Sequence, residues 1–144
     1  MRRSLAIVVP LLLVFFLWPS ASKTHEERIQ SSIRDVAEAT RRGHAGNFMD
    51  EIAESFSDDQ FTRKSLHGML LREFLNGGGT AVHLGPIVVQ VDPTGTTAAA
   101  SVSASFPGAF LETTLKATEL HFELDYVLEN DSWRIVGQRN SAAE

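Results

Sequence analysis

The sequence predicts an α+β domain: three N-terminal helices packed on a curved, mostly antiparallel sheet of about four strands. Three observations predict it. Apolar residues recur at helical spacing between Ile29 and Phe74. From Thr80 the period drops from about 3.6 to about 2. Helical segments come first and extended ones last, the order expected when helices cover one face of an antiparallel sheet. No repeat of roughly 20–50 residues recurs, which excludes a solenoid.

The first helix opens on a capping box, Thr24-His25-Glu26-Glu27, in which the Thr hydroxyl accepts from the backbone N–H of Glu27 and the Glu carboxylate reaches back. Ile29, Ile33, Val36 and Ala37 form its apolar stripe, Thr40 continues it more weakly, and Gly43 is a left-handed C-cap. A second, short helix is expected from Ala45 or Asn47, carrying Phe48, Met49, Ile52, Ala53 and Phe56. It stops at Ser57-Asp58-Asp59, whose side chains compete for backbone hydrogen bonds. Lys64 to Leu75 reads as a third helix burying Leu66, Met69, Leu70 and Phe74. Gly77-Gly78-Gly79 follows that helix instead of opening one, so it is a connection and not a phosphate cradle.

In the first strand Val82 and Leu84 hold even positions while Ile87, Val89 and Val91 hold odd ones. The parity flips across Gly85-Pro86, as an inserted bulge residue would make it, and a bulge bends a sheet. Asp92-Pro93-Thr94-Gly95 makes the next turn. Ala98, Ala100, Val102, Ala104 and Phe106 then alternate with small polar residues, and Pro107 to Leu111 opens a longer connection. Leu120, Phe122, Leu124, Tyr126 and Leu128 share one face of the next strand, with Glu119, His121, Glu123 and Asp125 on the other. Glu129-Asn130-Asp131-Ser132 turns the chain into Trp133-Arg134-Ile135-Val136, closing a long hairpin.

The chain has 144 residues, enough for one domain. Met1-Arg2-Arg3 is a basic start, and Leu5 to Trp18 is an apolar run of 14 residues followed by Pro19-Ser20-Ala21-Ser22. As a helix that run spans roughly 21 Å, short of the ~30 Å hydrocarbon core. Residues 1–22 therefore read as a secretory signal peptide or, uncleaved, as an N-terminal inner-membrane anchor, with residues 23–144 as the exported domain. The expected location is periplasmic or secreted, with membrane contact only through residues 5–18 if they are retained. Net charge is −5, and removing Arg2 and Arg3 leaves −7, which disfavours nucleic acid as a partner. The absence of cysteine excludes disulfides, thiolate metal sites and a cysteine nucleophile.

Three marks carry a family resemblance: the first amphipathic helix, Ile52 to Phe61 (IAESFSDDQF), and Leu124 to Val136 (LDYVLENDSWRIV), a hydrophobic strand, acidic turn and Trp-basic-Ile ending. With them the region from Glu26 to Asn140 resembles the nuclear transport factor 2-like superfamily, including its SnoaL-like and ketosteroid isomerase-like branches, here as an exported bacterial member. The resemblance implies that helices and sheet form a cone-like roll with a pocket inside it, and a homodimer through the outer face of the sheet. The superfamily includes ketosteroid isomerases, scytalone dehydratase-like enzymes, polyketide cyclases and epoxide hydrolases beside many non-catalytic binding domains, so fold does not hand down function.

Enzymes of this kind place an Asp or His, at times with a Tyr, inside the cone, where an apolar setting raises a carboxyl pKa and lets it move protons. The candidates here are Asp59, His83 and Tyr126; Asp59 also reads as a turn residue and His83 as a surface one. Phe61, Tyr126, Trp133 and Arg139 are the candidate ligand-binding residues; Tyr126 and Trp133 also read as core, and Arg139, placed near the mouth for an anionic group, also reads as a surface residue. No cofactor is implied. The row Glu119, His121, Glu123, Asp125 offers one His with three acids, a poor match to zinc, so no metal is expected. The reading is an exported domain that binds a small apolar ligand or self-associates in the cell envelope, without catalysis. The alternative is a small cofactor-free isomerase, lyase or hydrolase with a pocket Asp or His as general acid/base.

Overall fold

The computed structural model describes residues 23–106 and 118–142. The expectations for residues 1–22 and for the connection beginning at Pro107 lie outside the described residues. Among the described residues the helices are α1 (His25–Arg42), α2 (Ala45–Asp50) and α3 (Arg63–Gly77). The strands are β1 (His83–Val91), β2 (Thr97–Phe106), β3 (Thr118–Glu129) and β4 (Ser132–Ala142). They form one sheet in the order β1-β2-β3-β4, every neighbouring pair antiparallel.

The helix signals act where the residues place them. Thr24 and Glu27 form the reciprocal capping box, and Gly43 closes α1 at φ 68 and ψ 34. Ile29, Ile33 and Ala37 are buried along one side of α1, so this face holds the helix to the sheet. Each larger aliphatic so buried stabilises the fold by about 1.5–3 kcal/mol. Thr62 and Ser65 cap α3 reciprocally.

α2 is shorter than the sequence predicts, ending at Asp50 and not near Phe56. The backbone groups a longer helix would use internally are taken by β4. Ile135 N–H donates to the Glu51 carbonyl at 2.8 Å, Ala53 N–H to the Ile135 carbonyl at 2.9 Å, and Ser57 N–H to the Val136 carbonyl at 3.2 Å. Residues 51–57 thereby cover the edge of β4 that would otherwise present unpaired groups, while Ile52, Ala53 and Phe56 stay buried as their spacing predicts.

Two bulges shape the sheet. In β1, Leu84 pairs with Ala104 and Ile87 with Val102, so Gly85-Pro86 stands opposite one residue and the expected parity flip occurs. In β4, Asp125 pairs with Gly137 but Tyr126 with Ile135, leaving Val136 as the extra residue. Trp133 and Ile135 face the helices; beyond the bulge it is Gln138, opposite Leu124, that does so. The β3–β4 turn is a two-residue connection with Asn130 (φ 48) and Asp131 (φ 65) both left-handed, matching the right-handed twist of a hairpin.

Candidate functional site

The inner face of the bent sheet, the α1 stripe and the α3 stripe do not close on one another. They enclose a hollow of about 290 Å³. From α1 come Ile33, Val36 and Ala37; from α3, Leu66, Met69, Leu70 and Phe74. The sheet contributes Leu84, Val102, Ala104, Phe122 and Leu124, and Phe61 reaches in from the loop before α3. Polar side chains of the described lining are Thr40, Glu73, Thr80 and Gln138. Left unfilled, an apolar hollow of that size forgoes packing worth up to about 7 kcal/mol, an upper bound because it opens to water. A chain that only needed stability would pack it with larger residues than Ala37 and Ala104. Small apolar hollows with a few polar groups are the usual form of a ligand site.

The residues singled out in the sequence fall in different places. Phe61 lines the hollow. Asp59 and His83 are exposed and do not line it. Tyr126 is buried at 1% exposure, and its hydroxyl donates to Ser32 Oγ at 3.1 Å. Ser32 in turn donates to Glu51 Oε2 at 2.6 Å. Burial pushes the Tyr126 phenol pKa up despite the Ser32 bond, with the nearby Glu51 charge adding to the rise. It is therefore a neutral phenol held inside the wall and not facing the hollow. Trp133, 5% exposed, donates from its indole N–H to His25 Nδ1 at 3.1 Å, with the two rings edge-to-face. Arg139 is not at the mouth: it is exposed and lies 3.5 Å from Glu123 and 3.9 Å from Asp125 on the outer face. The Val136 bulge is the reason, since uninterrupted alternation from Trp133 and Ile135 would have turned Arg139 inward.

Ser32, Glu51, Glu73 and Gln138 are the polar residues the sequence reading passed over. Ser32 falls three after Ile29 and four before Val36, so its place on the buried stripe of α1 was open to view. Glu73 likewise follows Met69 and Leu70 by four and three. Gln138 was hidden by the bulge. Ser32 and Glu51 also border an open depression of about 480 Å³ with Arg28, Asp35, Trp133 and Arg134. Burial raises the Glu51 pKa above its ordinary value, the Ser32 hydrogen bond partly opposes this, and Asp35 adds to it. Among the described residues no group of three or more His, Asp or Glu converges as a metal site would require.

A roll of helices on a bent antiparallel sheet around an apolar hollow defines a cone-shaped α+β protein. Solved structures share that architecture. Bd1075 of Bdellovibrio bacteriovorus matches 80% of this chain with TM-score 0.69 at 10% identity, and the match spans 40% of that longer protein. An NTF2-like protein from Cytophaga hutchinsonii matches 84% of this chain and 100% of its own, with TM-score 0.68 and 13% identity. An NTF2-like protein with a cystatin-like fold from Novosphingobium aromaticivorans matches 100% of this chain and 92% of its own, with TM-score 0.66 and 18% identity. No family model matches the sequence, and no curated protein is similar to it. The chain therefore has the nuclear transport factor 2-like, or cystatin-like, fold, as the three sequence marks together imply. At these identities the likeness is one of fold alone.

Proposed function

We propose that this chain is an exported nuclear transport factor 2-like domain that holds a small apolar ligand in its hollow without transforming it. The observation that carries the reading is the lining: a hollow of about 290 Å³ walled by aliphatic and aromatic side chains. Of the three candidate proton-transfer groups, Asp59 and His83 are exposed and Tyr126 is tied to Ser32, so none supports acid–base chemistry on a molecule in the hollow. Export rests on the basic start and apolar run of residues 1–22.

The test is titration of the purified domain with N-phenylnaphthylamine, a neutral dye that brightens in apolar surroundings. Saturable binding is expected, weakened by about tenfold or more in Ala104→Phe, which fills the hollow, with the circular dichroism spectrum retained. Dye binding unchanged by that substitution would remove the reading. Turnover of ketosteroid-like or epoxide substrates, lost in Asp59→Asn, would favour the isomerase, lyase or hydrolase alternative. Fusion of residues 1–22 to a reporter active only outside the cytoplasm tests export.

Self-association is the second reading. The outer face of β2 is built of small residues beside the acidic row of β3, with Ser101 and Ser103 at 3.2 and 3.4 Å from the two ring nitrogens of His121. Ala99 beside them is exposed, and so is Val88 on β1. This outer face supports a homodimer, which light scattering on the purified domain would detect as a doubled mass lost in Ser101→Arg.

A further inference from the structure

We propose that the molecule held in the hollow carries a protonated amine at its polar end, seated against Glu73 at the mouth. The inference rests on the ligand-binding reading above and names the chemistry of its ligand. Leu66, Met69, Leu70, Glu73 and Phe74 follow one another on the hollow-facing stripe of α3, so the carboxylate of Glu73 continues an apolar row. Glu73 lines the hollow and is also solvent-exposed, which puts it on the rim. It is the charged member of the described lining.

Nothing on its own helix neutralises it. The residues three and four positions away are Leu70, Met69, Asn76 and Gly77, none of them basic. Glu73 also sits in the last turns of α3, where the helix dipole places partial negative charge, so both contributions favour a cation. Arg72 adjoins Glu73 in sequence, but neighbours one position apart do not face each other on a helix, and no ion pair joins the two among the described residues. Arg41 adjoins the lining residue Thr40. Its Nε and Nη2 donate to the Val82 carbonyl at 3.1 and 2.9 Å, and its Nη1 pairs with Glu38 at 2.8 Å. Arg42 is likewise paired with Glu38. The hydroxyl of Thr80 and the carboxamide of Gln138 offer neutral hydrogen bonds further along the lining, while the Thr40 hydroxyl already donates to the Val36 carbonyl at 2.9 Å. An anionic head would meet Glu73 with like charge; an ammonium would meet an opposite one. The hollow is at the lower end of the volumes typical of small-molecule sites, which suits a single short chain or ring system.

The experiment displaces bound N-phenylnaphthylamine from the domain with decylamine, decanol and decanoate at neutral pH and low salt. The amine is expected to displace about three- to fivefold more tightly than the alcohol, the size of a partly exposed charge pair, and the carboxylate most weakly. In Glu73→Gln the amine should lose its advantage over the alcohol, whereas Glu119→Gln, on the outer face, should keep it. Added salt should shrink the advantage in the wild type. Equal displacement by amine and carboxylate, or an amine preference that survives Glu73→Gln, overturns the inference while leaving the hollow as a binding site. Failure of the dye to bind at all removes the hollow as a site, and this inference with it.

Discussion

The hydroxyl of Tyr126 on β3 donates to that of Ser32 on α1 at 3.1 Å, joining two residues 94 positions apart. Because Ser32 passes its own proton toward Glu51 at 2.6 Å, one buried serine ties the sheet, α1 and the end of α2 together. Its two neighbours differ in consequence. Tyr126→Phe removes one hydrogen bond and leaves Ser32 still bonded to Glu51, so it should cost about 1 kcal/mol. Ser32→Ala leaves a buried phenol and a half-buried carboxylate without partners, and should cost about 2 kcal/mol or more. Urea unfolding of both single variants and the double variant measures this; additive losses would show that the three groups do not act as a chain.

Glu51 makes stability depend on pH in a direction opposite to that of most paired acids. Its pKa is raised, by burial first and by Asp35 and Asp50 further, while the Ser32 hydrogen bond and Arg134 oppose the rise. A carboxyl with a higher pKa folded than unfolded contributes its stability fully below the ordinary value of 4.5 and loses it as pH rises through the folded value. Glu51→Gln keeps an acceptor for Ser32 and never ionises. The variant should therefore gain stability relative to the wild type as pH is raised from about 4 to about 7. Thermal melts of both proteins across that range would show the gap widening; a gap that narrows contradicts the assignment.

Gly79 and Gly68 look alike in sequence and should respond oppositely to alanine. A Cβ on Gly79 would stand 1.8 Å from the Arg41 carbonyl oxygen and 2.8 Å from Gly43 N, both backbone atoms that cannot swing aside. The neighbouring Thr80 N–H donates to the Thr40 carbonyl at 3.0 Å, so the close approach fastens the exit of α3 to the end of α1. Gly79→Ala should destabilise by about 1–3 kcal/mol. A Cβ on Gly68, inside α3, meets nothing within 4 Å, and Gly68→Ala should stabilise by about 0.8–1 kcal/mol through helix propensity. In melting temperature, a rise for Gly79→Ala would contradict the close backbone approach, and a fall for Gly68→Ala would contradict the open space at Gly68.

Periodicity carried the fold because each buried stripe is local: Ile29 to Ala37, Ala98 to Ala104 and Leu120 to Leu128 face inward as their spacing requires. The Gly85-Pro86 bulge was legible because apolar residues flank it on both sides and expose the parity flip. The Val136 bulge was not, because Gly137 and Gln138 carry no apolar signal, so only the strand register decides between the mouth and the surface for Arg139. The end of α2 was misjudged for a different reason. Ile52 and Phe56 are buried either way, and only the non-local bonds to Ile135 and Val136 decide between helix and edge strand. Of the residues singled out as ligand-binding, Phe61 lines the hollow, on the backbone that follows the acidic turn. The hollow itself is a property of what the stripes fail to fill, which no single stripe records.

Asp58 and Asp59 adjoin in sequence but only one of them shapes the hollow. Asp58 Oδ1 accepts from the backbone N–H of Gln60 at 2.7 Å and of Phe61 at 2.6 Å. Its own N–H donates to the Phe61 carbonyl at 2.9 Å. The turn so formed sets the backbone from which the Phe61 ring reaches the lining, and Ser57 and Thr62 pair on either side of it. Asp59 is exposed at the turn's tip. Asp58→Ala removes both acceptor contacts and should cost about 1–2 kcal/mol. It should also weaken dye binding by about two- to fivefold, because an unheld Phe61 must be ordered when the ligand arrives. Asp59→Asn should leave stability and dye affinity unaltered. Parallel unfolding and titration curves decide the matter, and a larger effect at Asp59 than at Asp58 would return Asp59 to the site as a working carboxylate.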